Sequence, residues 1–303
     1  MPTEIPFSWL KPKNDFVFKL LFGSDDEDSK FLLLSFLNDV LNVPEGQSIV
    51  AVEIMNPILN KQYVTDKLAV LDIRARVKGY GNVNIEIQLT NQKNIHKRSL
   101  YYGAKLYEEQ LGEGEDYTKL TRVVLINILD FNFFTSDAYR SCYRLMEEYT
   151  LEPFPDLIQL HFFEMPKFQM KDQKGINDKN DRMAKWLRFL TNEDDSRWFE
   201  MAKQDPIIEK AVDKLRMASL DPESRYLYEA REKALKDIAS IRGDGIREGK
   251  IEGKIEGKIE GKIEGKREMA RNLLKEGLDI QVIVRASGLT EEDIRELAKE
   301  LEN

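Results

Sequence analysis

Cysteine and histidine are nearly missing from this 303-residue chain: Cys142 stands alone, and His96 and His161 are the two histidines. One thiol excludes an internal disulfide framework and fits a reducing cytoplasm, the expected location. Two histidines beside a single cysteine also exclude an ordinary zinc site. No apolar run approaches the ~20 residues that cross a bilayer, so no membrane partner is expected. The opening Met1-Pro2-Thr3-Glu4-Ile5-Pro6 lacks the basic start and apolar core of a signal peptide. Positive charge is not in surplus either: 46 Lys and Arg face 54 Asp and Glu, a net −8. That balance argues against a protein that coats nucleic acid, because strong non-specific binding needs a basic face. It leaves local phosphate contacts open. Gly112-Glu113-Gly114-Glu115 is acidic and lacks the Lys-Ser/Thr ending of a phosphate loop. Ser141-Cys142 has no histidine at a telling sequence distance, so no nucleophilic triad is expected.

What is present is carboxylate on strands. In Ile85-Glu86-Ile87-Gln88-Leu89 apolar and polar residues alternate. A strand has period two, so Glu86 and Gln88 share one face and the apolar residues the other. Residues 68–77 also read as a strand, and Lys78-Gly79-Tyr80-Gly81-Asn82 as the turn between. This hairpin sets Asp72 beside Glu86. Two carboxylates converging among β-branched residues repel and lose solvation unless they share a cation or a proton. Mg²⁺ suits such a pair, because it binds through one or two carboxylates and keeps several waters. Taken singly, each acid has a bland alternative: Asp72 as a surface residue of an edge strand, Glu86 as part of a solvated strand face.

An Asp, a hairpin and then Glu-x-Gln, with Lys67 ahead of the first strand, resembles the Rpn family of recombination-promoting nucleases, putative transposases of the PD-(D/E)XK superfamily. Asn14-Asp15-Phe16-Val17-Phe18-Lys19-Leu20-Leu21-Phe22-Gly23 resembles the family's opening helix. Arg98, Tyr101-Tyr102, Tyr107, Gly112 and Tyr117 resemble the helix and loop that follow. The likeness covers roughly residues 10–165, and the repetitive C-terminus more loosely. It implies a restriction-endonuclease-like α/β core, a mixed sheet flanked by helices. It also implies Mg²⁺, with Mn²⁺ as substitute, held by Asp72, Glu86 and the carbonyl of Ile87, and DNA as partner. Gln88 stands where the superfamily carries lysine, so it orients water without supplying charge. Lys67 is a candidate for the missing charge, or a strand-end lysine in water. Asp15 is an accessory carboxylate, or only a helix N-terminal acid. Lys93, His96 and Lys97 fall at i, i+3 and i+4, on one face of the helix that opens after Gln88, and with Arg98 form the candidate DNA-backbone grip.

The rest of the chain reads as helices at 14–43, broken at Asp25-Asp26-Glu27-Asp28-Ser29, a strand near 50–54, a helix over 94–111, a buried strand over 121–129 and a strand over 157–165. The expected organisation is a nuclease-like core over 1–170, a helical extension over 171–242, a low-complexity Gly-Lys-Ile-Glu repeat over 243–267 read as helical, and a small helical module over 268–303. Each four-residue step turns a helix about 400°, so the isoleucine row drifts about 40° per repeat. Each interior glycine costs about 1 kcal/mol relative to alanine, so the repeat needs flanking helix or a second chain, and a homodimer through this region is expected. The last module has a helix-turn-helix outline, but Glu291, Glu292, Asp293, Glu296 and Glu300 make its final helix a poor match for phosphates and favour a protein contact. Two functions follow: a metal-dependent DNA endonuclease of low sequence specificity promoting recombination or DNA mobility, or a non-catalytic scaffold that keeps the fold and assembles through its C-terminal helices.

Overall fold

Period-two alternation builds the centre of the molecule. The computed structural model describes residues 7–44, 46–57, 71–155, 157–175, 181–192 and 194–302. Lys67 and the start of the expected first hairpin strand lie outside them. The strands are β1 (Val52–Met55), β2 (Ile73–Val77), β3 (Gly81–Gln88), β4 (Val123–Leu129), β5 (Arg140–Tyr143) and β6 (Ile158–Glu164). They form one mixed sheet in the order β1-β2-β3-β4-β6-β5. β1, β2 and β3 pair antiparallel, β3, β4 and β6 parallel, and β5 closes the edge antiparallel to β6. The β2–β3 turn is tighter than the sequence suggests, because Gly81 already pairs with Val77. Gly81 takes φ +108°, and a Cβ there would sit 2.2 Å from the Arg122 carbonyl oxygen, so only glycine lets β3 start this close to the chain entering β4.

Helices cover both faces. α1 (Asp15–Phe22), α2 (Glu27–Val40), α4 (Met165–Gln173), α5 (Arg182–Thr191), α6 (Asp195–Ala202) and α7 (Pro206–Leu220) contribute to a core on one face, where Phe18, Phe22, Phe36 and Trp186 meet Ile73, Ile85, Ile87 and Ile126. The extension beyond residue 170 thus shares its core with the sheet. α3 (Ile95–Glu108) covers the other face, with Leu106 against Val123 and Leu125. Side-chain caps start both helices: Asn14 accepts from Phe16 N–H at α1, and Asp26 accepts from Ser29 N–H at α2.

The chain divides into two compact units, Met1–Glu232 and Lys233–Asn303. α8 (Pro222–Lys275) begins in the first and ends in the second, so the start of the helical module expected over 268–303 is the end of this helix. The repeat is helical, with Ile251, Ile255, Ile259 and Ile263 about half exposed. In the second unit, α9 (Ile280–Ser287) ends at left-handed Gly288, and α10 (Glu291–Glu302) follows. Ala270, Ile283, Ile294 and Leu297 form their small core. Among the described residues no helix is long and apolar enough to cross a membrane.

Candidate metal centre

The parallel pairing of β3 with β4 buries β3 on both faces. Ile85 and Ile87 point into the larger core, and Glu86, between them, points toward the α3 side. Glu86 is 4% exposed, which rules out a solvated strand face. Asp72 directly precedes β2, and Ile73 pairs with Ile85, so the register carries Asp72 to Glu86. Two crossed hydrogen bonds lock them: Asp72 N–H donates to Glu86 Oε1 (3.1 Å), and Ile87 N–H donates to Asp72 Oδ2 (3.0 Å). The Asn84 amide donates to Glu86 Oε1 at 3.4 Å, and the Gln88 amide to Glu86 Oε2 at 3.5 Å.

Cations flank the pair. Lys19 Nζ lies 3.0 Å from Asp72 Oδ1, and Arg98 Nη2 lies 3.7 Å from Glu86 Oε2. They do not fully offset burial. Desolvation, then the Asp72 charge, pushes the Glu86 carboxyl up to about 8, while Arg98 pulls the other way. Burial and the Glu86 charge also raise the neighbouring Tyr102 phenol.

The donor set fits a hard divalent cation. Two carboxylates converge, repel and are largely dehydrated, and Asn84 Oδ1 is buried without a hydrogen-bond partner. Among the described residues no cluster of three or more His, Cys, Asp or Glu forms, so the protein carboxylates at the centre are a pair. Asp15 does not extend it, because Arg231 Nε takes Asp15 Oδ1 at 2.8 Å.

The basic grip is placed differently from the sequence expectation. α3 begins at Ile95, and Lys93 lies before it at φ +61°, its N–H donated to Asn91 Oδ1 (2.7 Å). This local turn competes with the helix, so Lys93 does not share a helical face with Lys97. Both are exposed, and His96 packs against the Phe133 ring. Arg98 turns inward to Glu86 and lies 5.9 Å from the Tyr102 ring centroid. α3 comes this close because Gly103 faces Leu125, whose Cδ1 would be 2.6 Å from an added Cβ. Sequence reasoning missed Lys19 and Asn84 as neighbours of the carboxylates. Lys19 stands one helical turn after Asp15, a spacing that signals a shared face. Asn84 follows from the alternation that selected Glu86 and Gln88.

One pairing is invisible in sequence distance. β5 lies against β6 with Cys142 opposite His161, and Sγ is 3.7 Å from Nε2. Burial and nearby arginines push His161 down to about 4, leaving a neutral ring at pH 7.

The family model described as PD-(D/E)XK nuclease family transposase matches residues 12–243. A second, described as the C-terminal HTH domain of the Rpn/YhgA-like nuclease family, matches residues 264–299. No curated protein and no solved structure gives a match.

Proposed function

The chain belongs to the PD-(D/E)XK nuclease family transposases, and from that premise we propose that it is a divalent-metal-dependent DNA endonuclease promoting recombination or DNA mobility in the cytoplasm. The observation that carries the reading is the Asp72–Glu86 pair, two carboxylates folded against each other where burial disfavours the charge of Glu86. Asp72, Glu86 and the Ile87 carbonyl would hold Mg²⁺, or Mn²⁺ in its place. The ion supplies Lewis acidity at the scissile phosphate and lowers the pKa of water. Gln88, hydrogen-bonded at the edge of the pair, orients water. Arg98 holds the Glu86 carboxylate in place, and Lys97 and Lys93 meet the DNA backbone. Such contacts position a duplex without reading bases, which fits low sequence specificity.

In a plasmid-nicking assay with Mg²⁺ or Mn²⁺, the wild-type protein is expected to cut. Asp72→Ala is expected to lose at least ~10³-fold in rate, because metal and attacking water lose their anchor. Intact plasmid at every protein concentration, or an Asp72→Ala variant that cuts normally, rejects the reading.

The alternative is a scaffold that keeps the fold without the reaction. Gln88 in place of a lysine and the acids along α10 favour it. A flat Mn²⁺ titration by calorimetry supports the scaffold, and binding that requires Glu86 supports the enzyme. Both readings accommodate self-association through the C-terminal region, where four half-exposed isoleucines recur along α8. Light scattering of the full chain is expected to give a dimer mass at micromolar concentration, and a monomer mass throughout removes that part of the proposal.

A further inference from the structure

Gln88 leaves the carboxylate pair without the positive charge that a lysine there would bring to a phosphate. Lys67 lies outside the described residues. The fold brings another cation to the same corner. Lys19 stands in the last turn of α1, its ammonium 3.0 Å from Asp72 Oδ1. The side chain is 40% exposed, against 13% for Asp72, so it sits at the solvent rim of the site.

Its position is held from both ends of α1. At the N-terminus, Arg231 of α8 grips Asp15, and the Asn14 amide donates to Glu232 Oε1 at 2.8 Å. At the C-terminus, Gly23 packs so tightly on Ile73 that a Cβ would meet its Cγ1 at 3.0 Å. Ile73 follows Asp72 directly, so the helix is registered against the residue that Lys19 pairs with.

Among the described residues Arg98 is the cation at Glu86, and it is less suited to move. It is the more enclosed of the two, lies under the Tyr102 ring and reaches Gln92 with Nη1 at 3.4 Å. Lysine is a point charge with three donors on a flexible stem, able to turn from a carboxylate to a phosphate oxygen.

We propose that Lys19 supplies the phosphate-facing positive charge that Gln88 cannot, and that its ion pair with Asp72 is the metal-free resting arrangement of that charge. This rests on the endonuclease reading. With Asp72 engaged as a metal ligand, Lys19 would be released to turn to a non-bridging oxygen of the scissile phosphate. In the reaction, the water oxygen bonds to phosphorus while the bond from phosphorus to the leaving sugar oxygen breaks. One water proton ends on that sugar oxygen and the other on the phosphomonoester or in solvent. Lys19 stays protonated and opposes the charge that builds on the phosphoryl oxygens.

The two roles predict opposite effects of one substitution. Removing Lys19 frees Asp72 for the metal but strips charge from the transition state. Lys19→Met is expected to bind Mn²⁺ tighter in calorimetry without DNA, by roughly 3–10-fold, since a competing surface ion pair is worth little. At saturating metal its single-turnover cleavage is expected to fall by about 10²-fold or more. Lys19→Arg restores part of the rate, and Lys19→Gln repeats the Met result with a polar side chain at this half-exposed position. Wild-type protein that cuts while Lys19→Met cuts equally fast overturns the assignment. Weaker Mn²⁺ binding with a rate fully rescued by excess metal also overturns it, because Lys19 then only orders Asp72. Wild-type protein that never cuts removes the endonuclease reading itself, and this assignment with it.

Discussion

Glu86→Gln is expected to make the metal-free protein more stable while abolishing metal-dependent cleavage. Burial and the Asp72 charge raise the Glu86 carboxyl to about 8 in the fold, against an ordinary value of 4.5. The unfolded chain therefore ionises first as pH rises. The stability that goes with a neutral Glu86 is complete below about pH 4.5 and is lost progressively up to about pH 8. Each unit of such a shift is worth about 1.4 kcal/mol, so at pH 8 to 9 the variant should gain about 2–4 kcal/mol over wild type, and at pH 4 almost nothing. Denaturant melts of both proteins from pH 4 to 9 measure this. The fall in stability expected below pH 6.5 from His161, held neutral by burial, is common to both and cancels in the comparison. The amide oxygen of the substituted side chain still accepts from Asp72 N–H, so the hairpin register should persist. A variant less stable than wild type at pH 8 would mean that the pair stabilises the fold, contrary to the electrostatics. This gain on removing a carboxylate separates a binding site under strain from a structural ion pair, whose loss would destabilise.

Metal affinity should climb steeply with pH. A cation binds the ionised carboxylate, so between about pH 6 and 8 each pH unit is expected to raise the apparent affinity for Mn²⁺ close to tenfold, levelling off above 8. Calorimetry in buffers of different ionisation enthalpy should show nearly one proton released per metal at pH 7. An affinity constant across pH 6.5 to 8.5, with no proton release, would remove Glu86 as a ligand. In thermal melts the same linkage appears as a metal-induced rise in Tm that is small at pH 6 and large at pH 8.

Much of this was legible in one dimension. The alternation around Glu86 located β3, the apolar run at 123–129 located β4, and the acidic run from Asp25 located the break between α1 and α2. β5 was not legible: four half-polar residues at a sheet edge carry no apolar pattern, and pairing with β6 alone makes them a strand. Lys93 was misplaced because the Asn91 side chain offers its backbone a local turn that periodicity does not register. Arg98 read as a phosphate contact because a basic residue on an amphipathic helix looks exposed until the partner layer is known.

Local pattern was enough to set the strands, the acids they carry and the family to which their order belongs, since side-chain period and hairpin spacing are properties of neighbouring residues. The electrostatics of the site came from packing. Burial of Glu86 comes from β4 pairing with β3 and from Arg98 and Tyr102 of α3 lying beside it, and the cation at Asp72 arrives from a distant part of the chain: Lys19 on α1, with Arg231 on α8 fastening that helix through Asp15. Charge interactions depend on distance and on excluded water, and both are fixed by which elements meet rather than by position in the chain.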